Sequence, residues 1–140
     1  MNRFFSPSPL WQSNGLAFIR ILIGISLIYH GWEIFNTRAM NEYFKWDMFK
    51  DSSLAKTFVY AGKVSELISG ILLLLGLFTR IACVIVICTM AYIAFFVGHG
   101  KIWYEDQYPF LFVLLAIIFF FAGPGSWSVD KAIHSGNKSN

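Results

Sequence analysis

Charge is the scarcest commodity in this chain. Only 14% of its 140 residues are charged, whereas a soluble domain carries about 25%. With 56% hydrophobic residues and a mean hydropathy of +0.58, the apolar side chains exceed what one core of this length can bury. The bilayer is the simplest second solvent for them. Cysteine is nearly absent as well. Cys83 and Cys88 fall on separate faces of one helical stretch and form no Cys-x-x-Cys pair. That disfavours membrane dithiol chemistry and leaves both as small apolar core residues. The three histidines, His30, His99 and His134, are scattered singly, without the spacing of a haem or metal site, so no metal is expected. There is no phosphate loop, and "GPGSWSVD" contains no Gly-x-Ser-x-Gly. The formal charge of +3 is not gathered into a patch, which argues against nucleic acid as a partner.

What the chain does have is long apolar runs. A spanning helix needs about 20 mostly apolar residues, because the hydrocarbon core is roughly 30 Å thick and the rise is about 1.5 Å per residue. Four windows qualify: Leu16 to Trp32, Thr57 to Leu77, Ile81 to Gly98, and Tyr108 to Ala122. The last two contain no Asp, Glu, Lys or Arg. A soluble bundle would need a polar face on every helix, and these two have none. The expected fold is therefore all-α, a four-helix transmembrane bundle forming one domain over residues 1–140. The leader "MNRFFSPSPLWQSNG" shows no small-x-small cleavage site after a short apolar core, so the first span is expected to stay as an anchor.

The joints carry the expected punctuation. Prolines at 7 and 9 call for an extended approach to the first span. The segment "NTRAMNEYFKWDMFKDSSLAK" alternates charges with aromatics. That suits either an amphipathic piece at the interface or a solvated loop with an aromatic cluster. "LFTR" makes a tight turn, and "GHGKIWYEDQ" places Trp103 and Tyr104 in an aromatic belt. Pro124 and its flanking glycines end the fourth span, and a frayed tail is expected after Ile133. Four spans put both termini on one side. Arg3, Arg20, Arg80, Lys131 and Lys138 lie on that side, and Arg38, Lys45, Lys50, Lys56 and Lys101 on the other. The cation count ties. Arg80 in its short turn and Arg3 in its short leader favour termini on the cytoplasmic side of a bacterial inner membrane.

Four charged residues and a histidine fall in or at the edge of the first two windows: Arg20, His30, Glu33, Lys63 and Glu66. An ionised side chain at the bilayer centre costs about 2.5–3.5 kcal/mol, so such residues face other helices and find partners. Helix depth suggests that Arg20 pairs with Glu66, while Lys63 comes level with His30, with Glu33 just above. Small residues follow the same faces: Ala61, Ser65 and Ser69, then Gly62 and Gly70, with Gly24 and Gly31 opposite. Two readings stay open. One is a structural polar clamp between the first two spans. The other is an outward-opening site of His30, Glu33, Lys63 and Glu66, with His99 as a further candidate, for protons or a small ligand such as a quinone. At the other end, Asp130 or Ser128 is expected to meet Arg80 beside Thr79 and lock the fourth span to the "LFTR" turn. The alternative is that Asp130 caps a short helix starting at Lys131.

In order and spacing, "RILIGISLIYHGWEIF", "ELISGILLLLGLFTRIA" and "GPGSWSVDKAI" resemble the DoxX family of small bacterial membrane proteins. The resemblance runs from about Arg20 to Ile133 and carries over onto Arg20, Gly31, Glu66, Gly70, Gly76, Thr79, Arg80, Gly123, Gly125, Ser128 and Asp130. One departure is visible. Where that family often has a lysine after the glycine closing the first span, "GWEIF" offers Glu33. Members are similar to the quinone-reducing membrane subunit of thiosulfate oxidation, and some are associated with oxidative or thiol stress. The resemblance thus implies a subunit of, or accessory to, a membrane oxidoreductase system, with quinone as ligand and a soluble or membrane redox partner. A non-catalytic scaffold or assembly factor is the alternative. A small-solute carrier would, at four spans, require an oligomer.

Overall fold

A computed structural model describes residues 9–46, 48–49 and 54–136. Arg3, Asp47, Lys50, Asp51, Lys138 and Pro7 lie outside the described residues. The described chain forms α1 (Gln12–Gly31), α2 (Thr37–Tyr43), α3 (Ala55–Leu75), α4 (Thr79–Tyr92), α5 (Gln107–Ala122) and α6 (Val129–Gly136). A 3-10 turn, Trp32–Phe35, extends α1, and a π turn, Ile93–Val97, extends α4. Three of these units, Gln12–Phe35, Lys56–Leu75 and Thr79–Val97, are long and apolar enough to cross a membrane. The fourth, α5, has 16 residues, which is about 24 Å of helix. The fold is an all-α transmembrane bundle. The first span starts four residues before the expected Leu16 and the second stops two before the expected Leu77. Gly76 explains the second difference. Its φ of 64° is the left-handed conformation that closes a helix, and Leu77 N–H donates to Leu72 O while Gly76 N–H donates to Leu73 O.

The helices pack in the order α1–α3–α4–α5, with α1 and α3 sharing the most extensive seam. Glycine makes that seam. A Cβ on Gly24 would lie 2.7 Å from Leu74 N, one on Gly70 would lie 2.8 Å from Ile28 N, and one on Gly31 would press on the Leu67 backbone. The two backbones touch at three levels, as small residues permit. Gly62 does not join them, since a Cβ there meets nothing within 4 Å. Ile23, Leu27, Leu73, Cys83, Val86, Met90, Val113 and Phe119 fill the space between the four long helices. A smaller cluster, Met40, Phe49 and Val59, sits under α2. The outward faces carry exposed Phe18, Ile25, Ile68, Ile71, Ile81, Val84, Leu111, Ile118 and Phe121, the side chains that meet lipid. Exposed Trp11 and Trp127 mark one end of the bundle, and Trp32, Trp103, Tyr104 and Tyr108 the other, forming two aromatic belts.

Side-chain oxygens hold the joints. Asn36 Oδ1 caps α2 by accepting from the Arg38 and Ala39 amides. Asp106 folds the loop before α5 by accepting from the His99 and Lys101 amides at 3.0 and 2.9 Å. Of the tail expected to fray after Ile133, residues 134–136 are helical, and residues 137–140 lie outside the described residues.

Candidate functional site

The polar residues of the first two spans separate into two groups at opposite ends of the bundle. Arg20 is fully buried and is spent on backbone carbonyls. Its Nε donates to Pro124 O at 2.9 Å and Nη2 to Trp127 O at 2.9 Å, while Nη1 donates to Leu73 O and Leu74 O. The last carbonyls of a helix lack intrahelical donors and carry the negative end of its dipole, so a guanidinium there caps α3. The expected Arg20–Glu66 pair is not formed. The glycine seam explains why: it sets Gly24 against Leu74 and Gly31 against Leu67, so Arg20 lies opposite the end of α3, roughly two turns from Glu66.

Glu66 instead shares Lys63. The Lys63 ammonium sits 2.8 Å from Glu33 Oε2 and 3.1 Å from Glu66 Oε2, and 4.5 Å from the centre of the Tyr43 ring. The Tyr43 hydroxyl donates to the same Glu33 oxygen. Burial, with help from that hydrogen bond, pushes the Tyr43 phenol above its usual range. Lys63 and Glu66 side chains are only 9% and 6% exposed, against 28% for Glu33, so the cluster is most open on the Glu33 side. With both acids ionised, the cluster carries one carboxylate more than it has ammonium groups. It can therefore hold an extra proton or a ligand's positive end.

This cluster closes one end of a cavity of about 250 Å³. The walls are aromatic and aliphatic: Trp46, Phe58, Tyr92, Tyr108 and Phe112, with Ile93 and Val97 from the π turn. Phe58 stacks on Tyr92, which stacks on Phe96. A π turn inside a helix frequently marks a functional site, because its extra residue bends the local backbone. Gly62 lines the cavity with no side chain to fill it, and His30, exposed on α1, lines it too. The structure brings His30, Glu33, Lys63 and Glu66 to one place and adds Tyr43. His99 is not among the cavity-lining residues and is exposed in the Asp106-held loop. Tyr43 and Trp46 were readable only as aromatics of a mixed segment. Nothing in their spacing says that α2 folds back over Lys63.

At the terminal end, Asp130 reaches the turn between α3 and α4, but not Arg80. Its carboxylate accepts from the Phe78 amide at 2.7 Å and the Thr79 amide at 2.9 Å, and its own amide donates to Gly76 O. Among the described residues, Arg80 makes no ion pair with it. The exposed start of α4 turns Arg80 outward, while the unpaired N–H groups of that helix point at Asp130. Burial alone would push the Asp130 carboxyl up. The hydrogen bonds from Thr79 and Phe78, and then the Arg20 charge, outweigh it and hold the carboxyl below the usual range. Asp130 does not cap α6 either. Ser128 Oγ does, accepting from the Lys131 amide at 3.2 Å.

A polytopic bundle with buried charge at two levels defines a small multi-pass membrane protein. The DoxX family model matches residues 15–99, and the chain belongs to the DoxX family. The match spans the α1–α3 seam and the charged cluster, while the "GPGSWSVD" loop lies beyond it. The chain is also similar to an uncharacterized protein of Haemophilus influenzae, 31% identical over 123 residues, covering 83% of this chain and 88% of that one. No solved structure matches it.

Proposed function

We propose that the cavity beneath α2 binds a lipid-soluble ring compound of the quinone class, and that the protein serves as a subunit of, or accessory to, a membrane oxidoreductase system. The observation that carries this reading is the junction of an aromatic-walled cavity with a buried ammonium shared by two carboxylates. An apolar cavity of about 150 Å³ takes benzene, so about 250 Å³ suits one substituted ring with its tail leaving toward lipid. Lys63 offers a donor to a ring carbonyl. Glu33 and Glu66, with Tyr43 and His30 beside them, offer places for the protons that accompany reduction. Electrons would come from a soluble or membrane partner. In this reading both termini face the cytoplasm of a bacterial inner membrane and the cavity lies on the far side. Solvent extraction of the purified protein tests the assignment. Retained quinone supports it, and a stable copurifying partner with no retained ring compound favours a scaffold. Reporter fusions after Asp130 test the orientation, and periplasmic activity there would reverse it.

A further inference from the structure

The opposite end of the bundle carries a second cavity, of about 720 Å³, between the starts of α1 and α4, the end of α5, and α6. Its lining divides by chemistry. Phe78, Ile81 and Ala122 are apolar, and Phe78 and Ile81 are more than half exposed. Arg80, Lys131 and His134 are basic and exposed. None of their three side chains makes an ion pair or a hydrogen bond with a described residue. The one acid in the lining among the described residues, Asp130, accepts from the Phe78 and Thr79 amides. Its charge is offset by the neighbouring Arg20 guanidinium. The Arg80 and Lys131 charges at the rim are thus left without an ion-pair partner among the described residues.

We infer that this cavity is a site for the headgroup of an anionic phospholipid, with Arg80, Lys131 and His134 around its phosphate and Phe78, Ile81 and Ala122 against the adjoining acyl region. Three observations favour a lipid over a free anion. The cavity lies in the aromatic belt marked by Trp11 and Trp127, where headgroups sit. Much of its wall is apolar, from Phe78, Ile81, Ala122 and Ile133, which an inorganic anion does not use. α6 presents exposed Val129 and Ile133 beside Lys131 and His134, the character of a helix lying in the interface. Basic recesses between transmembrane helices recognise anionic headgroups through this combination of charge and apolar wall. The inference is independent of the ring-compound reading, which concerns the other end of the molecule.

Intact-complex mass spectrometry of the full chain in detergent, titrated with phosphatidylglycerol or phosphatidylcholine, tests it. The expected result is about tenfold tighter retention of phosphatidylglycerol, weakening with added salt. The triple variant Arg80→Gln, Lys131→Gln, His134→Gln should bind the two lipids equally. All three side chains are exposed, so the variant should keep its gel-filtration profile. A control with Lys45, Lys56 and Lys101 changed to Gln at the other end should keep the preference. Equal binding by the unaltered protein, a preference that survives the triple variant, or an equal loss in the control would overturn the inference. Displacement of phosphatidylglycerol by millimolar inorganic phosphate would overturn it too, by assigning the cavity to a free anion.

Discussion

Replacing Arg20 by Gln should be among the most damaging single changes in this protein. The arginine donates to four backbone carbonyls, those of Leu73, Leu74, Pro124 and Trp127, and so ties α1 to the end of α3 and to the loop that closes α5. Hydrogen bonds from a charged donor contribute about 1.5–3 kcal/mol each. Summed naively, four would give about 6–12 kcal/mol, comparable with the whole stability of a domain. Burying the guanidinium offsets several kcal/mol of that, which leaves a net loss of about 3–5 kcal/mol on substitution. Arg20→Lys should recover only part, because one ammonium cannot face carbonyls on two sides as a planar fork does. Denaturant unfolding in dodecyl maltoside, followed by circular dichroism, measures the loss. Combining Arg20→Gln with Glu66→Gln should give additive losses within about 0.5 kcal/mol, since the two residues share no partner. A loss below about 1 kcal/mol for Arg20→Gln would refute the capping account. A rescue by Glu66→Gln would restore the direct pair that the glycine seam excludes.

Other consequences follow from the same geometry. Gly24→Ala drives a methyl into Leu74 N and Gly70 O and should cost about 1–3 kcal/mol, read by the same unfolding assay, whereas Gly62→Ala should be neutral. Lys63→Met strands two acids and should cost about 3–5 kcal/mol, with partial recovery when Glu66→Gln is added. Glu66→Gln alone leaves Lys63 on Glu33 at 2.8 Å and should barely change abundance on immunoblots. Asp130→Asn weakens the cap on α4 and should cost about 1 kcal/mol, since the carboxylate is partly exposed and screened. The folded Asp130 carboxyl titrates below its unfolded value. Its contribution is therefore complete above about pH 4 and fades as pH falls through the lower folded value. Unfolding profiles of the unaltered protein and of Asp130→Asn should converge only in that acidic window.

The membrane bundle was legible in the sequence because lipid-facing helices need no polar face, and the windows around 81–98 and 108–122 have none. The convergence of Lys63 with His30 and Glu33 was legible too, since antiparallel helices of similar length bring those depths together. The partner of Arg20 was not legible. Depth along a helix fixes height but not register, and here register is set by Gly24, Gly31 and Gly70. The carbonyls that Arg20 caps also have no signature in side-chain identity. Asp130 was read correctly as reaching the "LFTR" turn and wrongly as seeking its cation. The Phe78 and Thr79 amides become available to Asp130 at the start of α4, where Phe78 takes its φ of 47°. The cavity itself depends on α2 folding back over α3, which no periodicity in a seven-residue helix could announce.

Trp46 lines the cavity beside Gly62 and Lys63 and offers a direct test of its occupancy. In a variant that keeps Trp46 and replaces Trp11, Trp32, Trp103 and Trp127 by Phe, a short-chain quinone titrated into detergent-solubilised protein should quench the fluorescence saturably. Adding Gly62→Leu, which fills open space without a backbone clash, should abolish the saturable component while leaving the fold intact. Quenching that rises linearly with quinone, with the same slope in the presence of Gly62→Leu, would contradict a ring-binding site in this cavity.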